Sequence, residues 1–351
     1  MMLRRSSVCI LVILVAYRSV LVSGGGTVGV AYGTLGNNLP PPAQVVQLMQ
    51  ASGIKNAMVY DTNPEVMEAF MGSGVRLSVQ VVNGELQTLA SDPDIAQQWV
   101  QTRILPFAST IDYISVGNEV LTTERDKSSF LYPAMINIHS ALATFDIDNA
   151  VKVSTTHAAN VLDASNSFPP SNGQFNVSVL QYMVPILGFL SSTGAPFMAN
   201  VYPFLAYISA NGDIKLPYAL LDSVGAPEYY VADAGSGLVY TNLFDAQIDT
   251  LVFALEKVGF GTLPLMVTET GWPSAGGLEA TTVVNAQKYN NNVVAHVLGG
   301  GGTPKRPAVP LQVFIFALFN ENQKTGPDYE QHFGLFYPDQ SRVYNLALRS
   351  N

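Results

Sequence analysis

Eight short apolar runs recur along the chain, each separated from the next by a longer segment with apolar residues at helical spacing. They are 27–33 TVGVAYG, 56–61 NAMVYD, 76–82 RLSVQVV, 112–120 DYISVGNEV, 152–158 KVSTTHA, 196–204 PFMANVYPF, 263–270 LPLMVTET and 311–319 LQVFIFALF. Strands rich in Val and Ile, alternating with helices, predict a parallel sheet covered on both faces. Two closures compete, an open doubly wound sheet and a barrel. The stretch GTLGNNLPPP after run one lacks the spacing and the acidic partner of a dinucleotide-binding fingerprint. Eight units in about 325 residues suit a (β/α)8 barrel, typically about 250 residues plus insertions. The expected class is therefore α/β, a (β/α)8 TIM barrel.

Helix signals fall between the runs. Val45, Leu48 and Met49 share one face, as do Ile248, Leu251, Val252 and Leu255. Asn63 before Pro64-Glu65 and Asn242 before LFDAQI read as N-caps, and Gly259 and Gly261 close the helix before run seven. Residues 205–241 are long, rich in Gly, Ala and Tyr, and weakly periodic, so an enlarged βα loop or a small subdomain inserted after strand six is expected on the active face. Residues 26–351 are expected to form a single domain.

Arg4 and Arg5 precede VCILVILVA, and Ser23-Gly24-Gly25 follow, the pattern of a cleaved secretory signal peptide over residues 1–25. The apolar run falls short of the roughly 20 residues of a membrane-spanning helix, and Arg18 interrupts it. Cleavage removes three arginines and takes the formal charge from −9 to about −12. It also removes Cys9, the one cysteine, leaving no disulfide and no Cys-ligated metal. The acidic balance argues against nucleic acid and anionic membranes as partners and leaves neutral polymers such as glycans. His139, His157, His296 and His332 have no metal-ligand spacing, so neither metal nor cofactor is expected. Asn176-Val177-Ser178 is a glycosylation sequon that fits the secretory route. The ending YNLALRSN carries no hydrophobic tail for a lipid anchor.

In a barrel of this kind, function is built at the carboxyl ends of the strands. Run four ends on Asn118 and Glu119, run seven on Glu269, and run eight leads to Glu321 and Lys324. Run six ends near Asn200 and Tyr202, and run one at Tyr32. Two glutamates on separate strands of one barrel mouth suit glycoside hydrolysis, which needs one carboxyl protonated and the other ionised. Burial and like-charge proximity raise one pKa, while hydroxyl or amide donors hold the other down. Thr268 and Thr270 flank Glu269 and could help orient the groups behind it, although strand alternation turns their side chains away from its own. Asp61, ending run two, reads as structural, and His157, ending run five, could face the cleft. Tyr202, Phe204, Tyr207, Tyr229, Tyr230, Tyr240, Trp272 and Phe333 are candidate sugar-stacking rings, each with core packing as the competing role. No G-x-S-x-G elbow is present.

Together VGNEVL, VTETGWPSAG and FALFNENQKTGP…FGLFYPD resemble the plant glucan endo-1,3-β-glucosidases of glycoside hydrolase family 17, with the likeness running from VGVAYG to VYNL near residue 346. The resemblance implies a secreted, monomeric, retaining barrel enzyme that cleaves β-1,3-glucan internally. It implies Glu119 as proton donor and Glu269 as nucleophile, with Glu321, Lys324 and Glu330 in support. It places Tyr32, Asn118, Asn200 and Tyr202 along the cleft, with Trp272 and Phe333 as further sugar contacts. Ala31 and His332-Phe333 depart from the residues common in the family. Mixed-linkage 1,3-1,4-β-glucan, glucan transfer and non-catalytic glycan binding are the rival readings. The apoplast is the expected compartment, with the vacuole as the alternative.

Overall fold

A computed structural model describes residues 25–348, so Cys9 and all but the last residue of the expected signal peptide lie outside the described residues. Strands β1 (Thr27–Tyr32), β2 (Asn56–Val59), β3 (Arg76–Val81), β4 (Ile111–Asn118), β5 (Lys152–Ala158) and β6 (Phe197–Asn200) follow one another round a barrel. A separate antiparallel hairpin, β7 (Val231–Asp233) with β8 (Leu238–Tyr240), intervenes before β9 (Leu265–Thr270) and β10 (Gln312–Ile315) complete the circuit. Parallel pairing of β1 with β10, from Thr27 opposite Gln312 to Val30 opposite Ile315, closes the sheet. An open doubly wound sheet would leave those two strands apart.

The connecting helices are α1 (Pro42–Ser52), α2 (Pro64–Phe70), α3 (Leu86–Ser91), α4 (Pro93–Arg103), α5 (Val120–Thr123), α6 (Ser128–Thr144) and α7 (Val177–Thr193). They continue with α8 (Pro203–Ser209), α9 (Leu216–Ala219), α10 (Leu243–Lys257) and α11 (Val283–Leu298). The Asn63 side chain accepts from Glu65 N–H at the start of α2, and Asn242 accepts from Asp245 N–H at the start of α10. Each cap satisfies an amide that the helix cannot reach itself. Ile248, Leu251, Val252 and Leu255 are buried on α10, and Val45 and Met49 on α1.

One large core lies between sheet and helices, and a second buried cluster of Met58, Met198, Met266 and Phe314 is packed by Tyr113. Burying such side chains contributes roughly 1.5–3 kcal/mol each, which lets a chain this long fold without covalent staples. The segment after β6 contains α8, α9 and the hairpin. Phe204, Tyr218 and Tyr240 of this segment belong to the main core cluster. It is a long loop rooted in the barrel's own core, and the expected subdomain has no core of its own.

Two irregularities break strand alternation at the carboxyl rim. Along β4 and β5, Ser115 pairs with Ser154 but Asn118 with Thr156, so β4 carries one extra residue. Gly117 sits there at φ 72, and a Cβ on it would lie 2.6 Å from Val120 Cγ2. Along β6 and β9, Ala199 pairs with Val267 and the next residue, Asn200, with Glu269, which makes Thr268 the extra one. Such bulges re-aim side chains beside sites.

Candidate active site

Both bulges deliver a glutamate into one cleft of about 710 Å3 at the carboxyl end of the barrel. Its walls include Tyr60, Asn83, Asn118, Glu119, Tyr202, Glu269, Glu321, Lys324, Glu330 and Phe333. Glu119 follows β4 directly and has φ 55, the left-handed region that costs a residue with a Cβ roughly 1–2 kcal/mol. The distortion is held in place from two sides. Glu119 N–H donates to Thr156 O at 2.9 Å, and Thr122 and Thr123 both donate back to Glu119 O.

The two carboxyls have different partners. Glu269 is 7% exposed and takes a hydrogen bond on each oxygen, from the Tyr60 phenol to Oε1 at 2.9 Å and from the Tyr202 phenol to Oε2 at 2.7 Å. Burial and the Glu269 carboxylate push both phenols well above their ordinary value, so each remains an O–H donor. Glu119 is half-buried, and its Oε1 accepts from Asn200 Nδ2 at 2.7 Å. Burial raises Glu119, while Asn200 and the charge of Lys324 pull it down. Burial and then the neighbouring Glu119 push Glu269 up to about 7, against the pull of Tyr202, Lys324 and Tyr60. Each carboxylate disfavours ionisation of the other, so the two release their protons as a pair.

Lys324 is the one cationic side chain lining the cleft among the described residues, and its ammonium lies 4.7 Å from the centre of the Phe316 ring. It lowers the pKa of Glu119, Glu269, Glu321 and Glu330 together. Glu321 is 2% exposed and accepts from Leu35 N–H at 2.8 Å. A Cβ on Gly33 would lie 2.4 Å from both Glu321 oxygens, so this approach requires glycine.

The remaining expectations separate by burial. Asn200 is 2% exposed, too deep to serve as an open cleft wall, and acts on Glu119 instead. Tyr32 is buried, with its ring packed against Phe70 and Phe319 and its phenol raised by burial and by the nearby Asp61 and Glu321. Trp272 offers no face to a sugar, because it is fully buried among Phe204, Tyr207 and Tyr289 and donates its indole N–H to Ala280 O. Phe204 and Tyr240 are likewise fully buried, whereas Phe333 does line the cleft. His157 does not reach the cleft. It is buried and stacked on Phe197, and burial pushes it down to about 3, which keeps it neutral. Sequence reasoning passed over Tyr60 and Asn83, although both stand at strand ends. Asp61, read as structural, accepts from Asn63 N–H and also lines the cleft.

A family model described as "Glycosyl hydrolases family 17" matches residues 28–348. The chain belongs to that family. A relative from Zea mays, named glucan endo-1,3-beta-glucosidase, acidic isoform, is 45% identical over 96% of each chain. Glucan endo-1,3-beta-glucosidase 13 of Arabidopsis thaliana is 42% identical over 92% of this chain, which spans 64% of that relative's length. Among solved structures, a beta-1,3-glucanase and allergen of Cryptomeria japonica pollen superposes with a TM-score of 0.88 at 45% identity, covering 93% of this chain and all of that one. In this family 17 barrel, no group of three or more His, Cys, Asp or Glu side chains among the described residues could hold a metal ion. No helix among them is long and apolar enough to cross a membrane.

Proposed function

We propose that this chain hydrolyses internal 1,3-β-glucosidic linkages of β-1,3-glucan by a retaining double displacement, with Glu119 as proton donor and Glu269 as nucleophile. The supporting observation is the asymmetry of the pair. Glu269 accepts a phenol O–H on each oxygen, an arrangement that favours a carboxylate, whereas Glu119 accepts one amide N–H on Oε1. The two phenols equip Glu269 to act as a carboxylate, while burial raises Glu119 and favours its protonated form.

Glu119 gives its proton to the departing glycosidic oxygen as Glu269 attacks the anomeric carbon, which forms a glycosyl ester and frees the leaving sugar. Now ionised, Glu119 takes a proton from water as the water oxygen displaces Glu269. Lys324 compensates for the negative charge gathered by four nearby glutamates. The names of the Zea mays and Arabidopsis thaliana relatives support the 1,3-β linkage.

The same proposal includes secretion through a signal peptide over residues 1–25, residence in the apoplast, and one catalytic domain over 26–351. Glycosylation at Asn176 fits its geometry: Oδ1 caps α7 by accepting from Ser178 N–H and Oγ–H, while a glycan joins through Nδ2. Product analysis on laminarin, barley-type mixed-linkage glucan and a β-1,4-glucan tests the linkage, and proton NMR of the first-formed product tests the stereochemistry. Internal cleavage of laminarin with β-anomer appearing first is expected. Cleavage confined to mixed-linkage glucan, or first appearance of the α-anomer, would overturn the reading.

A further inference from the structure

We infer that Thr268, a buried residue one position before the nucleophile, is a positioning residue that sets the amide orientation of Asn200 and through it the hydrogen bonding of the proton donor Glu119. The inference rests on the proposed role of Glu119. Thr268 is fully buried, and its Oγ1–H donates to Asn200 Oδ1 at 2.8 Å. Asn200 Nδ2 donates in turn to Glu119 Oε1 at 2.7 Å and reaches Asn118 Oδ1 at 3.4 Å. Both partners of Nδ2 are acceptors, and the partner of Oδ1 is a donor, so the whole chain of hydrogen bonds has one consistent direction.

The bulge makes this contact. Thr268 is the extra residue of β9, so its hydroxyl can serve Asn200 on β6 while the adjacent Glu269 enters the cleft. Without that hydroxyl, the donor that holds Oδ1 is lost, and rotation of the Asn200 amide to turn Oδ1 toward Glu119 is opposed only by the Nδ2 contacts with Glu119 and Asn118. An acceptor in that place favours the protonated carboxyl over the ionised one and misplaces the proton to be given. The charged groups acting at Glu119 are Lys324, Glu269 and Glu330.

Thr268→Val removes the hydroxyl at nearly constant volume, and Thr268→Ser keeps it. For Thr268→Val we expect kcat on laminarin to fall about tenfold with KM within about twofold, and the basic limb of kcat/KM to move up by about one pH unit. Turnover of a dinitrophenyl β-glucoside oligomer, whose leaving group needs no proton, should fall at least fivefold less. Thr268→Ser should restore both the laminarin rate and the basic limb. If the Val variant does not fold, Thr268→Ala carries the same expectations. A basic limb unmoved in Val and Ala variants, or Ser behaving as Val does, overturns the inference. Glu119→Gln is the control: normal laminarin turnover by that variant refutes the donor role itself, whereas its inactivity beside an unaffected Thr268→Val refutes the relay alone.

Discussion

The side chain of Asn83 grips the backbone of Asn118 from both directions. Its Oδ1 accepts Asn118 N–H at 2.8 Å, and its Nδ2 donates to Asn118 O at 3.0 Å and also to Glu124 Oε1 at 2.7 Å. Asn118 lies between Gly117 and Glu119, both at positive φ, so this one amide braces the bulge that presents the proton donor. Asn83→Ala should cost about 1–3 kcal/mol of stability and lower kcat about tenfold at temperatures where the variant is fully folded. Thermal unfolding and laminarin kinetics on the same preparation check both. Full activity in the folded variant would remove Asn83 from the account.

The two phenols on Glu269 set the acid limb of the pH profile. Each donates to the carboxylate, so losing one raises the pKa of Glu269 and delays its ionisation. Tyr202→Phe and Tyr60→Phe should each move the acid limb of kcat/KM to higher pH, by about one pH unit. An unmoved or lowered limb contradicts the assigned bonds.

Lys324 acts on several carboxyls together. Lys324→Met should raise both limbs of the profile, because it lowers the pKa of Glu119 and of Glu269. The expected measurement is a bell displaced as a whole to higher pH with a reduced maximum. Movement of one limb alone would confine Lys324 to one partner.

The active site costs stability in a pH-dependent way. Folded Glu269 is raised from 4.5 to about 7, so between those values the folded state holds a proton the unfolded chain has lost. Stability from this group is present at low pH and is lost as pH rises through about 7, amounting to about 3 kcal/mol. Glu269→Gln escapes this loss. Its melting temperature relative to the unaltered protein should therefore rise between pH 5 and pH 8, and a constant difference would contradict the burial assigned to Glu269.

The barrel was legible because its strands are apolar runs and its helices carry caps and a regular apolar face. Glu119, Glu269, Glu321 and Lys324 were legible for a second reason, since Glu269 stands near the end of a strand and the other three come after one, and the rim is where a barrel does chemistry. The roles of Tyr60 and Asn83, and the partner that Thr268 serves, were hidden by different physics. Tyr60 precedes Asp61, which drew notice as a charge, yet it is the phenol that reaches Glu269. Asn83 acts through backbone hydrogen bonds, which leave no periodic trace. Strict alternation turned Thr268 away from the site, and an extra residue in β9 turned it back toward Asn200. Trp272 failed in the opposite sense: an aromatic ring near the nucleophile looked like a sugar platform, but it is fully buried against Phe204 and Tyr289.

The central claim is that Glu269 forms the covalent bond to the sugar. A 2-deoxy-2-fluoro-β-laminaribiosyl fluoride slows both displacements and leaves the glycosyl ester to accumulate, so peptide mass mapping after brief exposure locates it. The account predicts one added 2-fluorolaminaribiosyl group, a disaccharide, on the peptide containing Glu269, absent in Glu269→Gln. A stable adduct on Glu119, Glu321 or Glu330 instead would contradict it.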